Sequence, residues 1–103
     1  MEIHKFHNDS NGFHYTFEYK MKPNEEILLK MPTVSPNKRG VNDIGWQCDE
    51  EITLYATLSR KPQSEDAIWT KIEDYDEVNK TISYIKIKCG DKESRVAIRA
   101  LLN

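Results

Sequence analysis

Three histidines near the N-terminus are the first residues in this sequence with the chemistry to hold a transition metal. His4, His7 and His14 supply three imidazoles, which are enough ligands for such a site. On a strand, however, His4 and His7 have opposite phase, so their rings cannot converge without a bulge. We therefore interpret them as surface histidines and predict no metal site.

A partial calcium-loop pattern overlaps these histidines. Its third, fifth, sixth and twelfth positions are filled by Asp9, Asn11, Gly12 and Glu18. The first position holds His7, where an oxygen ligand is required, and the flanking residues alternate as strands do. The pattern therefore favours a turn built from Asn, Asp and Gly.

The two cysteines are the candidate nucleophiles. Cys89 falls on the inward phase of an alternating run, Cys48 precedes an acidic cluster, and neither has an adjacent base or a supporting motif. A disulfide between them is geometrically possible. The chain begins without a secretion signal, however, and this favours two reduced thiols.

Carboxylates occur in three runs, at Asp49-Glu50-Glu51, at Glu65-Asp66 and within 73–77. A hydrolase needs one carboxyl in an apolar pocket with a raised pKa, whereas these runs fall in predicted loops. The sequence also lacks a glycine-rich phosphate loop, a Gly-x-Ser-x-Gly elbow and a His-Glu-x-x-His helix. We therefore predict that the protein is not an enzyme and uses no cofactor.

Aromatic side chains offer a different chemistry, which is the stacking of sugar rings. The candidates for such a ligand-binding platform are Trp46, Tyr55, Trp69, Tyr75 and Tyr84. The alternative is structural, with Trp69 closing one end of a sandwich and Trp46 covering an edge.

Short alternating strands must position all of these residues. Alternation at period two predicts strands at 3–7, 13–21, 26–31, 50–59 and 67–72, and the long connection 32–49 is predicted to contain another around 41–47. A turn at 8–12 joins the first two strands in a predicted hairpin. No segment shows helical spacing. The pattern predicts an all-β fold, an antiparallel sandwich or jelly roll of seven or eight strands in one domain.

The last twenty residues give the clearest pattern, with two alternating runs on either side of Gly90-Asp91-Lys92-Glu93. We predict a second hairpin in which Ile87 lies opposite Val96 and Ile85 opposite Ile98. Its other face then brings together a row of basic residues beside a tyrosine, namely Tyr84, Lys86, Lys88, Arg95 and Arg99. Like charges opposite each other disfavour pairing, so this face is a candidate partner-binding surface.

Composition limits the function further. The chain has 103 residues, of which 31% are charged, and a net charge of −2. This balance argues against general nucleic-acid binding, and no apolar run is long enough to cross a membrane. The N-terminus has no signal-peptide pattern, so we expect a cytoplasmic protein unless it belongs to a virus particle.

The second half of the chain resembles small β-sandwich accessory proteins of tailed bacteriophages, such as decoration, head-fibre or tail-associated subunits. The matching elements are Thr57-Leu58-Ser59 before a proline-containing loop, the run 68–72, Tyr84-Ile85-Lys86-Ile87-Lys88 and the terminal strand 98–103. The same order of strands is also similar to discoidin-type carbohydrate-binding sandwiches. Neither resemblance covers the first half or transfers binding residues.

The resemblance implies a non-enzymatic structural subunit of a phage virion. Its partners would be further copies of itself or capsid and tail proteins, contacted through sheet edges, loops and the basic face. The alternative is a carbohydrate-binding module that uses the exposed aromatic residues on a glycan.

Overall fold

Strands form every regular element in residues 1–8, 14–32, 41–73 and 82–102, which are the residues that this computed structural model describes. In chain order the strands are β1 (Ile3–Lys5), β2 (His7–Asn8), β3 (His14–Met21), β4 (Glu26–Lys30), β5 (Val41–Cys48), β6 (Ile52–Thr57), β7 (Thr70–Ile72), β8 (Tyr84–Cys89) and β9 (Ser94–Leu102). The predicted all-β sandwich is confirmed, with nine strands in the described ranges.

The strands form two sheets. Sheet A has the order β1-β4-β8-β6-β7, and sheet B has the order β2-β3-β9-β5. All neighbours are antiparallel except β1 and β4, which are parallel. The N-terminal segment contributes to both sheets, because only Phe6 separates β1 at the edge of sheet A from β2 at the edge of sheet B.

The core lies between the two sheets. Each strand turns alternate side chains inward. Sheet A contributes Ile27, Leu29, Leu54, Ala56, Ile72, Ile85, Ile87 and Cys89, and sheet B contributes Phe17, Met21, Ile44, Val96, Ile98 and Ala100. Phe6, Tyr15, Tyr19, Trp46 and Ile52 pack against this core from its margins.

Three connections at one end of the sandwich cross between the sheets, and this overturns the predicted C-terminal hairpin. The turns 22–25, 49–51 and 90–93 each join a strand of one sheet to a strand of the other. The first of them contains Asn24, whose φ is 62° and whose N–H donates to the Gly90 carbonyl at 2.7 Å. The loop 90–93 is therefore an arch between sheets.

The strand pairing in the C-terminal half follows from this arch. β8 lies between β4 and β6 at the centre of sheet A, so Ile87 pairs with Ile27 and Leu54 and not with Val96. Ile85 likewise pairs with Leu29 and Ala56, not with Ile98. The inward phase of these residues was nevertheless predicted correctly, since all of them are buried.

Several other strand predictions are confirmed. The opening hairpin is confirmed only in part: β2 pairs with β3, but residues 3–5 of the predicted strand 3–7 pair with β4 in the other sheet, and residues 9–12 of the predicted turn lie outside the described ranges. The strand predicted within the long connection is β5, which carries a bulge between Val41 and Asp43. The strand predicted at 67–72 is shorter than expected, because only its last three residues pair with β6.

Candidate functional site

The predicted basic face is divided between two opposite sides of the molecule. Tyr84, Lys86 and Lys88 lie on the outer face of sheet A, because the alternate residues of β8 are in the core. Arg95 and Arg99 lie on the outer face of sheet B, where they are exposed. The prediction that all five residues lie on one face is therefore wrong.

The predicted aromatic platform is divided as well. Tyr55 and Trp69 meet on the outer face of sheet A, where both contact Lys86. Trp46 is in sheet B and packs against the core from the inner side. Tyr75 lies outside the described residues.

One surface thus combines half of each predicted site, and we call it the lysine–aromatic face. It comprises three aromatic residues and five lysines on the outer side of sheet A, which are Tyr55, Trp69, Tyr84, Lys5, Lys30, Lys71, Lys86 and Lys88. At its centre the Lys86 Nζ lies 4.4 Å from the centre of the Trp69 ring and 5.8 Å from that of Tyr55. Both contacts are cation–π interactions.

The positive charge of this face is only partly neutralised. Lys88 lies 3.6 Å from a Glu26 carboxylate oxygen, and Lys71 lies 3.5 Å from one of Glu73. Within the described ranges no carboxylate lies at ion-pairing distance from the other three lysines, Lys5, Lys30 and Lys86. Lys5 and Lys30 are also direct cross-strand neighbours, an arrangement that is unfavourable for like charges.

Apolar side chains continue the same face toward the β1 edge. Leu28 has its Cα partners in Ile3 on one side and Lys86 on the other. It points away from the core but is only 1% exposed, whereas Ile3 is 41% exposed. Leu28 therefore adds almost no apolar surface to the face, whereas Ile3 adds an exposed apolar side chain at its β1 edge.

The outer face of sheet B has a different shape, an open groove of about 740 Å³ that we call the sheet B groove. Its lining includes the outward residues of β3, β5 and β9, namely His14, Thr16, Glu18, Gly45, Gln47, Ala97, Arg99 and Leu101. Its lining includes small residues, since Gly45 and Ala97 project little from their strands. A Cβ added at Gly45 would meet nothing within 4 Å. A second depression extends the groove past Lys20, Cys48 and Arg95.

A smaller hollow of about 470 Å³ lies at the β7 side of sheet A. Its rim carries two exposed apolar side chains, Leu58 at 62% and Ile68 at 80%. Its lining includes Ile72 and Ile82. Residues 74–81, which lie between these two in the chain, are outside the described ranges.

Titratable groups with shifted pKa values lie at the arch end. The Lys22 backbone N–H donates to Glu25 Oε1 at 2.9 Å and lowers the pKa of that carboxyl. Partial burial acts in the opposite direction and raises this pKa. The Tyr19 hydroxyl donates to Glu25 Oε2 at 2.9 Å and lowers it further. The same Tyr19–Glu25 bond raises the pKa of Tyr19. Burial raises the pKa of the Cys89 thiol, whose Sγ donates to the Lys92 carbonyl at 3.1 Å.

The histidines and cysteines do not form a reactive cluster. Both thiols are free, with Cys48 exposed and Cys89 buried. His4 is not a surface histidine, because it points inward and packs edge-on against Phe17 and Tyr19 at ring distances of 5.7 and 4.7 Å. Its Nε2 lies 3.6 Å from Glu2 and makes no hydrogen bond. In the described part of the chain no three His, Cys, Asp or Glu side chains are grouped to hold a metal ion.

Several residues of these surfaces were missed by sequence reasoning. Lys5 and Lys30 were treated only as polar members of their strands, because their proximity depends on the parallel pairing of β1 with β4. Gly45 was included in the strand predicted around 41–47 but was given no role, although it forms part of the groove. A signal for Gly45 did exist, since a glycine within an alternating run often marks a place where another chain or a ligand approaches closely.

Comparisons with protein-family models, with curated proteins and with solved structures found no match to this chain. Among the described residues there is no helix long and apolar enough to cross a membrane.

Proposed function

We propose that this chain is a non-enzymatic structural subunit of a larger assembly, and that it docks through the sheet B groove. The observation that carries the proposal is the groove itself, a wide open concavity on a sheet face. The resemblance of the second half to phage accessory proteins suggests the kind of assembly. The partner would be a second copy of the chain or a shell or tail protein of a phage particle.

The lining of the groove supports a protein partner. Glu18 and Arg99 bring charges of both signs, and the lining also contains the polar Thr16 and Gln47 and the apolar Leu101. Such a mixture of charge, hydrogen-bonding groups and apolar area is usual for non-obligate protein interfaces. Two of the predicted partner-binding residues, Arg95 and Arg99, lie on this face.

Filling the groove tests the proposal without disturbing the core. Gly45→Tyr places a ring in the groove, and the position accepts a Cβ without a clash. We expect this variant to remain folded but to lose assembly, measured as self-association by sedimentation velocity and as co-sedimentation with phage particles. Thr53→Tyr is the matched control, because it adds the same ring to a half-buried strand position on sheet A.

Two results would count against docking through this groove. One is assembly by Gly45→Tyr at the wild-type concentration. The other is loss of assembly in both tyrosine variants, which would indicate a general effect of added surface area.

A second candidate function, carbohydrate binding, is favoured by a separate observation on the other side of the molecule. Tyr55 and Trp69 lie near each other across Lys86, and both are half-buried. Exposed ring area of this kind can stack on the apolar face of a sugar. The test is a glycan array probed with the wild type and with Trp69→Ala. Binding that is lost in the variant supports this function, and an array without signal contradicts it.

A further inference from the structure

We infer that the lysine–aromatic face is specific for carbohydrates that carry carboxylate or sulfate groups. This inference rests on the carbohydrate-binding function proposed above as the second candidate. It goes further by assigning a charge to the carbohydrate, because aromatic residues alone do not select between neutral and acidic sugars.

Positive charge remains on the lysine–aromatic face in the unbound protein. Glu26 and Glu73 offset two of its five lysines, and Lys5, Lys30 and Lys86 have no carboxylate partner in the described residues. Holding Lys5 and Lys30 side by side costs free energy in the unbound protein. An anionic group bound between them would remove that repulsion, so the arrangement is complementary to an acid.

An aromatic ring, that of Tyr84, lies among these charges. Tyr84 is the cross-strand neighbour of Lys30, and Lys86 follows it two residues later on the same side of β8. One ring therefore lies between two cationic positions. Adjacent strands are about 4.8 Å apart and alternate residues about 6.7 Å apart along a strand. A sugar stacked on Tyr84 would have lysines on two sides, within reach of acid groups on itself or its neighbours.

The low overall charge of the chain favours an acidic glycan over a single-stranded nucleic acid. A nucleic acid carries a phosphate on every nucleotide, and its binding depends on a strongly basic protein surface. This chain has a net charge of −2, and exposed carboxylates of Asp49, Glu50, Asp91 and Glu93 lie at the arch end. Separated lysines with aromatic and apolar residues between them suit a ligand of lower charge density.

The experiment uses matched pairs of oligosaccharides. Each acid-bearing glycan, an oligouronate or a sulfated oligosaccharide, is compared with its methyl-esterified or desulfated counterpart, and a short oligothymidylate is included as a competitor. We expect the wild-type protein to bind the acidic member at least about tenfold more tightly. The preference should decrease as salt is added, because the charges lie at the surface.

Variants then locate the preference. Lys5→Gln and Lys30→Gln keep a polar side chain, one bond shorter, but remove its charge, and each should reduce the acidic preference while leaving binding of the neutral counterpart in place. Lys20→Gln is the control, since Lys20 is an exposed lysine on the outer face of sheet B, 3.6 Å from Glu93. It should leave the preference unchanged.

The possible failures are distinguishable. Equal binding of acidic and neutral members, abolished by Trp69→Ala, would overturn the inference and leave the carbohydrate function standing. Absence of binding to any glycan would overturn both. Tighter binding of oligothymidylate than of every acidic glycan would overturn the inference in favour of a nucleic-acid ligand.

Discussion

The outer faces of the two sheets differ in how they present similar residues. On sheet A the central strand β8 carries long side chains that stack on one another, as Lys86 does between Tyr55 and Trp69. On sheet B the central strand β9 carries the short side chain of Ala97, Gly45 lies opposite Arg99, and the surface is a groove. The strands β8 and β9 both alternate basic and apolar residues, yet one gives a filled surface and the other an open one.

The neighbouring strands therefore determine whether the outer face of a sheet is filled or open. Lys86 is flanked by Leu28 and Tyr55, which support its long side chain. Arg99 is flanked by Thr16 and Gly45, which leave room beside it. A strand read alone predicts which residues face outward, and its partners determine what those residues can do.

The largest effect is expected from the core that joins the two faces. Ile87 is fully buried between the neighbours Ile27 and Leu54. Ile87→Ala should lower the free energy of unfolding by about 2–5 kcal/mol, through lost transfer energy and the cavity left behind. Urea denaturation measures this change. Lys86→Ala on the adjacent outward position is the comparison, and an equal loss in both variants would show that the two sides of β8 are not distinct.

The next effect separates the two outer faces. Leu28 is buried on the outer side of sheet A, and its truncation to Ala should cost about 1.5–3 kcal/mol for the burial lost. Ala97 on sheet B offers no such side chain to remove, and Ala97→Ser should change the stability by less than about 0.5 kcal/mol. Similar losses in the two variants would contradict the difference between a packed face and an open one.

How far the sequence predicted this arrangement is clearest in β8 and β9. Their alternation correctly placed Ile85, Ile87, Val96 and Ile98 inside, because an inward phase has the same pattern in a hairpin and in an arch. The pairing was wrong because that pattern does not say whether two apolar faces lie side by side in one sheet or oppose each other across a core.

The candidate site was less predictable than the fold. Tyr84, Lys86 and Lys88 were correctly placed on one face, but Arg95 and Arg99 were assigned to it only through the hairpin. Lys5 and Lys30 depend on a parallel contact between β1 and β4 that no local signal specifies. Side chains brought together by distant strands can be predicted only once the strand order is known.

Glycine substitutions should have opposite effects at an open face and at a tight arch. At Gly45 an added Cβ has free space, so Gly45→Ala should stabilise the protein by about 0.4–1 kcal/mol through a less flexible unfolded chain. At Gly90 the Cβ would lie 3.3 Å from the Glu51 carbonyl oxygen, which accepts the Gly90 N–H. Gly90→Ala should therefore be destabilising. Thermal unfolding of the two variants tests the contrast, and a shift of the same sign in both would refute it.

The smallest effect concerns acid stability at the arch that joins β3 to β4. The pKa of Glu25 is lowered from 4.5 chiefly by the Lys22 N–H. Its contribution to stability is therefore complete above that pH and is lost as the pH falls through the lowered value. Glu25→Gln should be slightly less stable at neutral pH and should lose less stability on acidification. Urea midpoints measured from about pH 6 to about pH 3 give both slopes, and parallel slopes would show that Glu25 does not contribute.

The N-terminal segment, divided at Phe6 between the edges of both sheets, has a mechanical consequence. β1 pairs with β4 over three residues and β2 with β3 over two, and Phe6 packs at the margin of the core near Phe17 with a ring distance of 6.3 Å. A force applied to the N-terminus would act first on the three-residue pairing of β1 with β4, then on Phe6 and on the two-residue pairing of β2 with β3. The segment thus connects the edges of the two sheets at one side of the sandwich. Its release under force would break these two short pairings while β8 and β9 were still paired with their neighbours.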